Sequence, residues 1–144
     1  MDKQELARIL EEIATLLEIK GENPFKSRAY ENAARTILGL SQDLDELVAS
    51  GELARLKGFG SALVEKITEL VTTGRLKYYE DLKASVPPGL LEMTAIPGFG
   101  PKKIKKVYDV LGIETVAQLE QACRDNRLAA LEGFGARTEE KILQ

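Results

Sequence analysis

The sequence has no histidine, no tryptophan and only one cysteine, Cys123, among its 144 residues. Without histidine it cannot hold a Cys/His metal cluster, and hydrolase mechanisms that use histidine as the general base are excluded. A single cysteine cannot form a disulfide within the chain. No apolar run approaches the roughly 18 residues of a membrane-spanning helix, and the charged start is unlike a signal peptide. These absences predict an intracellular, cytoplasmic protein with no membrane partner and no metal site.

Positive charge is also in short supply. The net charge is −3, which argues mildly against binding to nucleic acid. The distribution is uneven, because residues 1–55 hold 7 basic and 11 acidic side chains whereas residues 56–144 hold 13 and 12. A local basic patch can bind phosphate although the total charge is negative. Such a patch is predicted around four lysines within five positions, Lys102, Lys103, Lys105 and Lys106.

Helical periodicity dominates the chain, and no β-alternation is long enough to compete with it. We therefore predict an all-α fold. The first helix has a buried stripe of Leu6, Leu10, Ile13, Leu16 and Leu17. Pro24 is placed to begin a second helix, which runs to about Leu40 and buries Phe25, Ala29, Ala33, Ala34 and Ile37. Further helices are predicted over residues 44–48, 61–71, 78–84, 90–94, 101–111, 116–125, 128–131 and 136–143.

The main break in this pattern is Pro87-Pro88-Gly89. Consecutive prolines followed by glycine interrupt helices and commonly mark a connection between compact units. We therefore predict two small helical subdomains, residues 1–86 and 87–144.

Gly-Phe-Gly occurs three times, at residues 58–60, 98–100 and 133–135, each time before an amphipathic stretch. Glycine accepts positive φ, so this triplet suits a tight turn between helices, with the phenylalanine pointing into the core. The amides of the turn and of the next helix's first turn would then form an anion site. Such a site holds phosphate without reading base sequence. The alternative is an ordinary connector, because glycine ends helices in many proteins.

The three copies share more than the triplet. Small or polar residues follow the second glycine, and a lysine and an apolar residue recur at one offset, in Lys66-Ile67, Lys106-Val107 and Lys141-Ile142. This pattern resembles the helix-hairpin-helix motif of DNA repair and replication proteins. The predicted DNA-binding residues of the three hairpins are Lys57, Gly58, Gly60, Gly98, Gly100, Lys102, Lys103, Gly133, Gly135 and Arg137.

The order of parts extends the resemblance. NPFKSRAYENAARTI is followed by KGFGSALVEKITELVTTGRLKYYEDL and then by VPPGLLEMTAIPGFGPKKIKKVYDVLGI. The chain thereby resembles the amino-terminal region of family X DNA polymerases, the group of DNA polymerase beta, and especially its bacterial members. That resemblance covers nearly all of the chain. It implies a lyase-like domain that binds the 5′-phosphate side of gapped, nicked or abasic DNA in base excision repair, and a thumb-like domain that grips the backbone.

The resemblance also limits the activity. The polymerase site of the family needs aspartates on a sheet, and no sheet is predicted here. We therefore expect no polymerase activity from this chain, which is either part of a longer polymerase, the remainder then being its partner, or a free-standing relative at the bacterial nucleoid. No cofactor is required, and the resemblance leaves room for a monovalent cation at the hairpins.

The family's site residues can be placed on this sequence. Lys66 matches the lysine that forms a Schiff base with deoxyribose phosphate, a nucleophilic mechanism. The alternative is a solvated flank of its helix beside Ile67. Lys26 and Tyr30 match the family's contacts with the 5′-phosphate, and Arg28 adds a cation nearby. Their alternative is the polar side of the second helix, with the Tyr30 ring packed against the core.

Two positions depart from the family. Ala62 and Tyr78 stand where the beta enzyme has basic residues, and Lys57, Arg75 and Lys77 could compensate. A different class of function also stays open, because helix-hairpin-helix pairs serve as dimerisation surfaces in other proteins. The acidic first helix fits such a protein-interaction scaffold without catalysis.

Overall fold

A computed structural model describes residues 1–129, 131 and 142–143. Those residues contain eight named α-helices and no β-strand, which confirms the all-α prediction. Within them, no helix combines the length and apolarity needed to cross a membrane. The helices are α1 (Lys3–Ile19), α2 (Pro24–Gly39), α3 (Leu44–Ser50), α4 (Ser61–Thr73), α5 (Lys77–Ala84), α6 (Pro88–Glu92), α7 (Pro101–Leu111) and α8 (Val116–Arg124). Short 3₁₀ turns occupy Glu52–Arg55 and Met93–Ala95.

The chain divides into two compact units. Unit 1 comprises residues 1–17 and 22–82, and unit 2 comprises residues 18–21 and 83–144. The division predicted between residues 86 and 87 lies close to this one but remains a prediction. The third hairpin, with Gly133, Gly135 and Arg137, lies outside the described residues.

Unit 1 is built on the apolar stripe of α1, which is buried as predicted. Its short helix α3 packs against the 3₁₀ turn at Glu52–Arg55 and against α4. Burial of a leucine or isoleucine side chain stabilises a fold by about 1.5–3 kcal/mol, so this core is the main source of stability. The fully buried large side chains are Leu6, Leu10, Ile13, Leu16, Leu17, Ile37, Leu44, Leu47, Leu53, Ile67, Leu70 and Leu76.

Helix α2 begins at Pro24, as predicted. The Asn23 side chain caps it by accepting a hydrogen bond from the Phe25 amide at 2.9 Å. The predicted buried face is wrong at two positions, because Phe25 is 73% exposed and Ala29 is exposed. The helical register explains the error, since the buried arc is centred on Ile37 and extends toward the Ser27 side, away from Phe25. The buried residues of α2 are Ser27, Tyr30, Ala33, Ala34 and Ile37.

Unit 2 depends on a close backbone approach at Gly89. A Cβ atom on Gly89 would lie 2.1 Å from the carbonyl oxygen of Glu114, so only glycine lets α6 pack here. Thr115 then caps α8 by accepting from the Gln118 amide at 3.1 Å. The helix predicted over residues 128–131 is wrong in the described part, where Leu128 and Ala129 form a bend and a turn.

Candidate nucleic-acid interface

The first hairpin is a four-residue turn from Leu56 to Phe59 that leads into α4. The Phe59 amide donates to the carbonyl oxygen of Leu56 at 3.1 Å, and Gly58 has a φ of +85°. A hydrogen bond that closes four residues, with positive φ at the third, is typical of a type II turn, which favours glycine at that place. The first glycine of the triplet is therefore required by the backbone.

The second hairpin repeats this geometry. The Phe99 amide donates to the carbonyl oxygen of Ile96 at 3.1 Å, and Gly98 has a φ of +74°. Pro97 occupies the second position of the turn, where proline is favoured. Phe59 and Phe99 are 6% and 3% exposed, which confirms that each phenylalanine anchors its turn in the core.

The glycines of both turns lie on the surface. Gly58, Gly60, Gly98 and Gly100 are all exposed. A Cβ atom added at Gly58, Gly60 or Gly100 would have no other atom within 4 Å. The surface at these turns is therefore open to a close approach by a ligand.

Gly60 and Gly100, the second glycines of the two described triplets, are the N-caps of α4 and α7, and no side chain caps either helix. In α4, the first backbone hydrogen bond runs from the Val64 amide to the Gly60 carbonyl oxygen at 3.0 Å, and α7 has the equivalent bond at 3.1 Å. The amides of Ser61, Ala62 and Lys102 precede these bonds and find no acceptor among the residues that the structure describes. Free amides at the positive end of a helix dipole suit an anion.

The lysines at the second hairpin are not equivalent. Lys102 is exposed in the first turn of α7, whereas Lys103 is half-buried and its Nζ donates to the Gly98 carbonyl oxygen at 3.2 Å. Lys105 forms an ion pair with Asp109. This i,i+4 pairing holds the Lys105 ammonium beside a carboxylate, and the prediction that the four lysines surround one anion site stays a prediction.

The first hairpin carries less charge than the second. Exposed Ala62 and buried Leu63 occupy the places that Lys102 and Lys103 hold after the second triplet. Lys57 is exposed within the turn itself. Arg75, a predicted source of compensating charge, makes two hydrogen bonds to Glu80, at 2.8 and 3.0 Å.

A concavity of about 310 Å³ lies beside the first hairpin. Arg28 and Lys57 supply positive charge to it, and the largely exposed ring of Phe25 forms part of its wall. The guanidinium carbon of Arg28 lies 5.0 Å from the centroid of the Phe25 ring, a distance typical of a cation–π contact. The lining residues are Phe25, Arg28, Ala29, Asn32, Ala33, Lys57, Gly58 and Phe59.

Tyr30 faces the interior of unit 1. It is 7% exposed, and its ring stacks on Tyr78 with centroids 6.3 Å and planes 13° apart. Burial, with the neighbouring Tyr78, raises the pKa of the Tyr30 hydroxyl above its ordinary value. Packing of the Tyr30 ring against the core is thus confirmed, and its contact with a 5′-phosphate stays a prediction. Lys26 is exposed on α2 and is absent from the lining of the concavity.

Lys66 lies on the flank of α4, between exposed Glu65 and buried Ile67, and is half-buried. Its Nζ atom lies 4.7 Å from the centroid of the Tyr78 ring. The structure thus brings Lys66 and Tyr30 together through Tyr78. It brings Arg28, Lys57 and Gly58 together in the concavity.

Five residues that line the concavity were not predicted to contact DNA, namely Phe25, Ala29, Asn32, Ala33 and Phe59. Asn32 received no role, and Phe25 was assigned to the core. The available signal was the position of Phe25 directly after the helix-initiating Pro24, because side chains in a first turn often lie beyond the packed face.

Comparisons with known proteins agree with this geometry. Residues 1–76 match a helix-hairpin-helix domain model, and residues 90–144 match a model described as a SAM-like helix-hairpin-helix tandem. The whole chain is 39% identical to the DNA polymerase/3′-5′ exonuclease PolX of Bacillus subtilis (strain 168) and spans 25% of that protein's length. The match is with the amino-terminal part of PolX, which confirms the predicted resemblance to a bacterial family X polymerase.

Proposed function

Because the chain belongs to the helix-hairpin-helix domain family, we propose that it binds the sugar-phosphate backbone of DNA without reading base sequence, as the amino-terminal part of a family X DNA polymerase. The observation that carries the proposal is the repeated type II turn, exposed and followed by uncapped helix amides, in both units. Backbone amides hold phosphate oxygens irrespective of the base, so this contact positions DNA.

The second hairpin supplies most of the charge in this proposal. Lys102 is exposed in the first turn of α7, beside the amides that would hold a phosphate in this proposal. Lys103 supports the same turn by its hydrogen bond to Gly98. Each phosphate that a protein neutralises contributes about −0.9 to the slope of log affinity against log salt. The affinity should therefore fall steeply as salt rises.

Charge reversal at this hairpin tests the proposal. Changing Lys102 and Lys103 together to Glu should weaken binding at least about tenfold at 0.1 M salt, by the same factor on DNA of different sequences. The matched control is Arg124→Glu with Arg127→Glu, which changes the net charge equally at two exposed positions elsewhere in unit 2. Fluorescence anisotropy with labelled duplexes measures the DNA affinity of both double variants. Equal losses for the two variants would remove the second hairpin as the contact.

We further propose that unit 1 prefers gapped or nicked DNA. The support is the exposed Phe25 ring beside a concavity that contains Arg28 and Lys57. An aromatic face gains from stacking only where the face of a base can be exposed, as at the strand break of a gap or a nick, and such stacking is worth about 1–3 kcal/mol per base. Intact duplex exposes no base face to the Phe25 ring, so stacking on this ring would favour gapped or nicked DNA.

Two alanine substitutions distinguish this preference for gapped DNA from a general affinity for DNA. Phe25→Ala should weaken binding to gapped DNA about tenfold while leaving intact duplex nearly unchanged. Leu38→Ala is the control, since Leu38 is another exposed apolar residue of α2, at 46% exposure. Loss of affinity for both DNAs alike after Phe25→Ala would contradict the preference.

The last part of the proposal is deoxyribose phosphate lyase activity at Lys66, as a step of base excision repair. Its support is that Lys66 is half-buried and that no ion pair among the described residues involves it. The neutral amine would add to the sugar aldehyde carbon to give a carbinolamine. Uptake of a proton and loss of water from the carbinolamine would give an iminium, which permits elimination of the 3′-phosphate. Borohydride should trap the protein on abasic DNA. Lys66→Ala should abolish trapping, whereas the control Lys77→Ala should not. Equal trapping by the wild type and both variants would exclude Lys66 as the nucleophile.

A further inference from the structure

Tyr78 connects the Lys66 side chain to the packed interior of unit 1. It lies in the first turn of α5 and is half-buried. Its ring centroid is 4.7 Å from the Lys66 Nζ atom and 6.3 Å from the ring centroid of Tyr30. Three helices, α2, α4 and α5, therefore each contribute one residue to a continuous contact from the buried Tyr30 ring to the lysine cation.

The orientation of the Tyr78 ring is determined by Tyr30. The Tyr30 ring is 7% exposed and therefore held by the surrounding core, and the two planes are within 13° of parallel. Stacked aromatic pairs gain energy beyond the area that they bury. Tyr78 thus presents a ring face in a defined direction, although its own side chain is partly exposed.

The aromatic face takes the place that a carboxylate commonly has beside a lysine. The ion pairs among the described residues join Arg8, Arg75 and Lys105 to acids, and none of them involves Lys66. Glu65, the adjacent acid that could have paired with Lys66, is exposed and makes no such pair in the described part of the chain. A cation–π contact is the interaction that the structure gives to this ammonium.

We propose that Tyr78 is a positioning residue for Lys66, and that its ring face stabilises the cationic iminium formed at Nζ; this inference rests on the lyase activity proposed above. In that step the Nζ lone pair bonds to the aldehyde carbon to give a carbinolamine. The carbinolamine hydroxyl takes a proton from solvent and leaves as water, and the nitrogen keeps one hydrogen and carries the positive charge. Water next takes a C2′ proton, and the resulting enamine expels the 3′-phosphate by breaking the C3′–O bond. Water finally hydrolyses the unsaturated iminium to an unsaturated aldehyde and restores the lysine.

A ring face suits this sequence better than a carboxylate would. A carboxylate binds an ammonium through several N–H donors, and the iminium has lost all but one of them. The ring quadrupole attracts the positive charge itself and needs no donor, so it can hold both the ammonium and the iminium. Tyr78, a departure from the basic residue of the beta enzyme, thereby has a role that a second cation could not fill.

Two substitutions at Tyr78 test the inference in single-turnover borohydride trapping on gapped DNA with a 5′-deoxyribose phosphate. Tyr78→Phe keeps the ring and should trap within about twofold of the wild-type rate. Tyr78→Leu removes the ring while keeping an apolar side chain, and trapping should slow by about 2- to 30-fold, the range that cation–π energies imply. If Tyr78→Leu traps at the wild-type rate while Lys66→Ala does not trap, Tyr78 has no such role and the lyase proposal stands. Absence of trapping by the wild-type chain would overturn both.

A spectroscopic measurement tests the ring contact without any DNA. Lysines reductively methylated with ¹³C-formaldehyde give separate methyl signals, and a methylated amine over an aromatic face is shifted upfield by the ring current. The Lys66 signal should be shifted in the wild type and in Tyr78→Phe but not in Tyr78→Leu, with the other lysines as internal controls. An unshifted wild-type signal would overturn the inference, even if trapping is observed. Amide spectra of each variant report whether unit 1 is folded.

Discussion

The conformation of Gly58 offers the sharpest test of the hairpin. Gly58 has a φ of +85°, and a Cβ atom there would contact nothing within 4 Å. Gly58→Ala therefore changes the backbone preference without introducing a clash. Gly39→Ala is the matched control in the same unit, because Gly39 is also in open space but lies at the end of α2 without a positive φ.

The two substitutions should act in opposite directions. An L-residue in the left-handed region costs about 1–2 kcal/mol, so Gly58→Ala should lower the free energy of unfolding by that amount. Alanine in a helix is favoured over glycine by up to about 1 kcal/mol, so Gly39→Ala should be neutral or stabilising. With a urea dependence of about 1–3 kcal/mol per molar, the unfolding midpoints of the two variants should differ by roughly 1 M.

Urea unfolding followed by circular dichroism measures the midpoints, and hydrogen exchange measures the turn directly. The Phe59 amide donates to the carbonyl oxygen of Leu56 across the turn at 3.1 Å. Its exchange rate should rise after Gly58→Ala and should not change after Gly39→Ala. DNA affinity should fall only for the Gly58 variant, because the amides of the anion site depend on the turn. Equal midpoints together with unchanged Phe59 exchange would refute the conclusion that this backbone requires glycine.

Three further outcomes are expected. Lys102→Ala should reduce the slope of log affinity for DNA against log salt by about 0.9. The loss of affinity caused by this substitution should therefore shrink about threefold between 50 and 200 mM salt. An unchanged slope, or the same change of slope for Arg124→Ala, would contradict the contact assigned to Lys102. Gly89→Ala should destabilise unit 2 by about 3 kcal/mol in thermal unfolding, because the new Cβ atom would lie 2.1 Å from the Glu114 carbonyl oxygen. A loss of unfolding free energy below about 1 kcal/mol would show that α6 can shift to avoid this contact. Burial and a hydrogen bond to an acid of α1 raise the pKa of Tyr79 to about 12, so its contribution to stability is complete below pH 10 and is lost as the pH rises toward 12. Tyr79→Phe should therefore lose less stability than the wild type between pH 9 and 12 in urea titrations, and parallel losses would contradict this linkage.

Much of the candidate site follows from local sequence. Type II turns need a residue with positive φ at their third position, and glycine meets that need cheaply. The triplets therefore predicted the two described hairpins, including the burial of Phe59 and Phe99. Pro24 likewise predicted the start of α2, because proline lacks only an amide that the first helical turn cannot use.

Other features of the site depend on which direction a helix faces. Phe25 was predicted to be buried because it is large and apolar, yet the arc of α2 that meets the core passes through Tyr30 and Ile37. Periodicity locates an apolar face only to within a neighbouring position, so single residues at its edge are decided by packing.

The sequence by itself determined the helical class, the two described glycine turns and the family, because each of these depends on residues within a few positions of one another or on their order along the chain. Tertiary structure alone decided that Lys66 of α4 meets Tyr78 of α5, and that Tyr78 stacks on Tyr30 of α2. It also decided that Arg28 and Lys57 share one concavity. Contacts between residues far apart in the chain arise when helices pack, and no local preference specifies which side chains then become neighbours.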